Sequence, residues 1–73
     1  MLPEAHDLMV ALRRLIDHEE DVHEGYGDAA VALMAQGQFE YASHVFQAGH
    51  SHGQRARELR TELAAVEAKY GAV

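Results

Sequence analysis

The chain has no cysteine and no tryptophan, a single proline (Pro3) and a single lysine (Lys69). It also has no apolar run approaching the roughly 18 residues that a membrane-spanning helix needs. Each absence removes a class of answer. Without cysteine there is no disulfide scaffold, thiolate zinc site or cysteine nucleophile. Met1-Leu2-Pro3-Glu4-Ala5-His6-Asp7 lacks the basic and apolar regions of a signal peptide, so a soluble cytoplasmic chain with no membrane partner is expected. Six bases stand against 12 acids, a formal charge of −6, and a nucleic-acid partner is therefore not expected. No glycine-rich loop precedes a lysine to cradle phosphate, and no Gly-x-Ser-x-Gly elbow is present. Ser43 and Ser51 each adjoin a histidine, but successive residues of a helix point in different directions. The expectation is a non-enzyme without an obligate cofactor.

What is present is a single domain, residues 1–73, built from helices. A chain this short buries only about 60% of its unfolded surface, which makes self-association an expectation in its own right. Three glycine-containing segments punctuate it: Gly25-Tyr26-Gly27, Gln36-Gly37-Gln38 and Gly49-His50-Ser51-His52-Gly53. Between them apolar residues recur at helical spacing, with no strand-like alternation. The spacing predicts an all-α fold, a small antiparallel bundle of three to four helices at about 4–23, 26–36, 38–49 and 53–70.

Pro3 suits a first helical position, and Glu4 and Asp7 favour the positive end of the helix dipole. In the first predicted helix Ala5, Leu8, Leu12, Leu15, Glu19 and Val22 step 3-4-3-4-3, with Met9 and Ile16 widening the stripe. In the last, Ala56, Leu59, Leu63, Val66 and Tyr70 repeat the pattern. Ser51 is placed as its N-cap and Gly71 as its end. The middle segment, 26–49, reads either as one helix kinked at Gly37 or as two shorter helices turning at Gln36-Gly37-Gln38.

That middle segment resembles the centre of a tetratricopeptide repeat. Ala30, Gly37, Phe39, Ala42 and Phe46 stand at the small, turn and aromatic positions of the family pattern, and Tyr26 stands where the family often has tryptophan. The resemblance spans about residues 26–49 and implies a helical hairpin with small residues at the crossing. The proline that usually closes the repeat is absent, and there is one copy where the family stacks several.

Charge is unevenly spread. Between Arg14 and Arg55 there is no base, yet the interval holds seven acids and five of the six histidines. Glu20 and His23 have the Glu-x-x-His spacing used by carboxylate-bridged metal centres in ferritin-like bundles. Glu19 lies on the apolar line beside them, an i,i+4 partner of His23. Glu40 and His44 form a second i,i+4 pair, and His50 and His52, with His44, have the spacing of an imidazole chelate. A divalent metal held by some of Glu19, Glu20, His23, Glu40, His44, His50 and His52 is one expectation.

Met9, Met34, Phe39, Tyr41 and Phe46 exceed what one hairpin core can bury, and Met34, Phe39, Tyr41 and Phe46 form the expected partner surface. The leading expectation is accordingly a small acidic, self-associating protein–protein interaction module, a homodimer or the partner of another protein. The acidic run from Asp17 to Asp28 suggests an alternative, an inhibitor that occupies the basic surface of a nucleic-acid-handling protein.

Overall fold

A computed structural model describes residues 3–71, and nearly all of them are helical, with no strand among them. There are two long helices, α1 (Pro3–Ala35) and α2 (Phe39–Val66), followed by a π-helical turn over Glu67–Gly71. The three or four helices read from the glycines are therefore two. Gly25 and Gly27 lie inside α1, and Gly49 and Gly53 inside α2. Ser51 is likewise interior rather than an N-cap; its hydroxyl donates to the Gln47 carbonyl one turn back, at 3.4 Å.

An interior glycine costs about 1 kcal/mol relative to alanine, which is too little to end a helix that keeps a packing partner on both sides of it. The chain reverses at Gly37. This is the single position among the described residues with positive φ (77°). Gly37 N–H donates to the Met34 carbonyl at 3.0 Å and Gln38 N–H to the Leu33 carbonyl at 2.8 Å, the paired bonds of a Schellman motif. Only glycine occupies that left-handed conformation without a Cβ penalty. Of the two readings of residues 26–49, the one with a turn at 36–38 describes the backbone there.

The two helices lie antiparallel in a rod of 53 × 14 × 13 Å. The seam of α1 is not the leucine stripe read from the sequence. Ala5, Met9, Leu12, Ile16 and Glu19 are buried, whereas Leu8 and Leu15 remain 44% and 49% exposed. The true seam is rotated by one residue at three positions, where Met9, Ile16 and His23 replace Leu8, Leu15 and Val22, and it continues through Tyr26, Ala30 and Leu33. On α2 and the turn that follows it, the buried or half-buried line runs Ala42, Val45, Gly49, His52, Ala56, Leu59, Leu63, Val66 and Tyr70. Its final five residues are those that the sequence spacing selects.

Interhelical contacts set the register. A Cβ on Gly49 would stand 2.7 Å from Tyr26 Cβ, so these residues face each other, and Ala5 and Tyr70 line one depression at the far end. Heptad steps outward from Tyr26 and Gly49 bring Ala30 level with Val45, Ile16 with Leu59, and Met9 with Val66. Bulky side chains thus meet small ones at the ends of the rod and at its centre. That complementarity lets two straight helices stay close along their whole length.

Candidate functional site

The middle of the seam is polar. Moving along α1, Ile16 gives way to Glu19, His23 and Tyr26, and the facing positions on α2 are Ala56, His52 and Gly49. Glu19 is 7% exposed, the one buried charged side chain among the described residues. His52 donates from Nδ1 to Glu19 Oε2 at 2.5 Å, and the Arg55 guanidinium lies 3.4 Å from Oε1. An ionised carboxylate only accepts, so this bond places the His52 hydrogen on Nδ1. The His52 ring stacks on Tyr26 with centroids 5.6 Å apart and planes 12° apart. One turn further, His23 Nδ1 donates to the Gly49 carbonyl at 2.6 Å, while Gly53 leaves room for its ring; a Cβ there would meet it at 3.0 Å.

The small residues opposite are what allow this cluster. Ala56, Gly49 and Gly53 supply the space that Glu19, Tyr26 and His23 occupy, and no buried side-chain polar atom among the described residues lacks a partner. A charged group on an apolar seam is tolerable only when paired, and sliding one helix by a heptad would strand Glu19 among Leu59 and Leu63. The polar centre therefore specifies register, as single polar residues do in coiled coils. Two exposed pairs flank it on one side, Glu20 with Arg60 at 2.5 Å and Arg13 with Glu67 at 3.6 Å.

The His52 hydrogen bond, chiefly, holds the Glu19 carboxyl below its ordinary value of 4.5; burial opposes this, and the charges of His52 and Arg55 add to the lowering. A carboxyl with a depressed folded pKa stabilises fully above its unfolded value and loses that contribution as pH falls through the folded one. Melting temperature should consequently drop on acidification below the glutamate range, and Glu19→Gln should shrink that part of the drop. Superimposable pH–melting curves for the two proteins would contradict the arrangement.

The structure separates most of the expected metal ligands. Glu19 and His52 meet, but His23 turns toward Gly49, and Glu20 is taken by Arg60. Glu20 and His50 border a mixed-charge concavity of about 430 Å³ with His23, Arg57 and Arg60. Glu40 and His44 are exposed near the turn. Among the described residues no group of three or more histidines and carboxylates is arranged to hold a metal ion. Sequence spacing missed Tyr26, Gly49 and Arg55 as members of the cluster. The signal was available in the 4-3-4-3 continuation through the glycines, which joins Glu19, His23 and Tyr26 into one line.

At the turn end a second feature stands out. Met34, Phe39 and Phe46 are exposed and line a shallow depression of about 220 Å³ floored by Ala30 and Ala42. Tyr41, expected with them, is exposed but is not among the residues lining it. Among the described residues no helix is long and apolar enough to cross a membrane. Comparison with protein-family models, with curated proteins and with solved structures gives no match.

Proposed function

We propose that this chain is a small acidic protein–protein interaction module that self-associates and has no catalytic role. The observation that carries the reading is unsatisfied apolar surface. The chain exposes 5372 Å², where a compact monomer of its mass exposes about 4,500 Å². The radius of gyration is 16.3 Å against about 11 Å for a compact domain of this length. Large apolar side chains are part of that surface: Leu8, Leu15, Val31, Met34, Phe39, Tyr41 and Phe46 are all exposed. Two helices bury one face each, and a further layer is the general way to cover the rest.

The depression at Met34, Phe39 and Phe46 suits an apolar anchor from a different protein, because aromatic and methionine side chains dominate interface cores. Sedimentation equilibrium at tens of micromolar should give about twice the 8.1-kDa chain mass. A single monomeric species throughout that range would overturn the self-association reading.

One observation favours the alternative of an acidic inhibitor. Asp17, Asp21, Glu24 and Asp28 are exposed and step 4-3-4 along the back of α1, forming a single acidic line without a facing base. A basic surface on another protein would complement it, with an affinity that falls as salt rises.

A further inference from the structure

α2 covers only one side of α1. Beside the seam, a second line runs from Leu8 to Ala32 in alternating steps of three and four, about 36 Å of helix. Its bulky members are Leu8, Leu15 and Val22, and between them stand alanine, glycine and one histidine, His18. None of its eight positions carries a carboxylate or a permanent positive charge, although α1 contains ten such residues. Every position but half-buried Val22 is exposed, and a Cβ added at Gly25 would meet nothing within 4 Å. A neutral heptad stripe of this length, on a chain of charge −6, is an unfilled helix-packing face.

We infer that a second copy of this chain fills it, with the two α1 helices antiparallel about a two-fold axis level with Glu20. The inference rests on the self-association proposed above and names the face and the register. A two-fold interface must complement itself, and this stripe does so when read against its own reverse. Leu8 then faces Ala32 of the second copy, Leu15 faces Gly25, Ala11 faces Ala29, and His18 faces Val22. The two leucines each meet a small residue, the rule that the hairpin follows internally at Tyr26 with Gly49 and Tyr70 with Ala5.

A parallel pairing sets leucine on leucine and glycine on glycine, which spreads the helices at one end and leaves a gap at the other. Area agrees as well. The chain's surface in excess of a compact monomer, roughly 900 Å², is of the size that each partner contributes to a standard interface, roughly 800 Å², and Leu8 and Leu15 of the stripe are among the large apolar side chains that it exposes. Alongside the stripe, Arg14 comes within two residues of the level of Asp28 of the second copy, twice by symmetry, which offsets Asp21 standing near its own symmetry mate.

The chain's lack of cysteine makes the test direct. Ala11→Cys and Ala29→Cys are prepared separately, then oxidised alone and as a mixture. The antiparallel register brings positions 11 and 29 within disulfide reach, while two copies of position 11 stand about 27 Å apart along the axis. Cross-linked dimer is expected to be on the order of tenfold more abundant in the mixture than in either variant alone. Leu15→Glu should raise the dimer dissociation constant by on the order of tenfold or more while leaving the far-ultraviolet helix signal intact. Cross-linking of Ala11→Cys with itself, or no cross-link in a mixture whose wild-type parent is dimeric, overturns this docking and leaves self-association standing. A wild-type chain that stays monomeric overturns both.

Discussion

Leu12→Ala should lower the stability of the isolated hairpin by about 2–4 kcal/mol, whereas Leu15→Ala should cost less than about 1 kcal/mol. The two leucines are three residues apart and equally plausible as core in the sequence. Leu12 is buried on the seam and level with Leu63, while Leu15 is half exposed on the neighbouring face. Truncating Leu12 removes the transfer free energy of the lost methyl groups and leaves a gap that two helices cannot easily close, because a bulky residue stands on either side of it. Truncating Leu15 removes atoms that already touch water. Denaturant melts at concentrations low enough to keep the chain monomeric would read the difference without a contribution from contacts between copies. Equal losses for the two variants would mean that the seam is the leucine stripe after all.

Gly49→Ala should destabilise the hairpin by about 1–2 kcal/mol, even though alanine is the better helix former by about 1 kcal/mol. The new Cβ would stand 2.7 Å from Tyr26 Cβ, which is fixed to the α1 backbone and cannot swing away. Relief requires the helices to part, and parting them loosens both the Tyr26–His52 stack and the bond from His23 to the Gly49 carbonyl. Gly27→Ala is the control. It is also a helical glycine, a Cβ there meets nothing within 4 Å, and it should stabilise by about 0.5–1 kcal/mol. Opposite signs in the denaturant midpoints are the expected result. A stabilised Gly49→Ala would show that the helices do not approach this closely at their centre.

The glycines show where sequence reading and structure part company. Gly25, Gly27, Gly49 and Gly53 look like breaks because glycine weakens a helix locally. The cost of each is a local quantity, while the gain from continuing the seam depends on the opposite helix. At Gly49 and Gly53 the missing side chain is the space that Tyr26 and His23 occupy. The candidate metal ligands behave in the same way. Glu20 and His23 lie close on one helix, but the first turns toward Arg60 and the second toward Gly49. Glu19 and His52, the pair that does meet, are 33 residues apart in the chain. Their pairing has no local signature, since it exists only once the register is set.

Several features needed nothing beyond the sequence. Helical periodicity without strand alternation determined the class, and the spacing of Ala56, Leu59, Leu63, Val66 and Tyr70 determined the apolar line of the second helix. The line is unambiguous there because charged residues crowd its other faces. The neutral run along the first helix is also written in the sequence, though as part of a stripe too broad to divide. Tertiary structure decided how to divide it. Two apolar lines share α1, both satisfy the helical period, and only the position of α2 assigns one to the seam and leaves the other bare. Propensity and periodicity act within a turn or two of a helix, whereas the burial of Met9 over Leu8, and of Ile16 over Leu15, is a property of the facing helix.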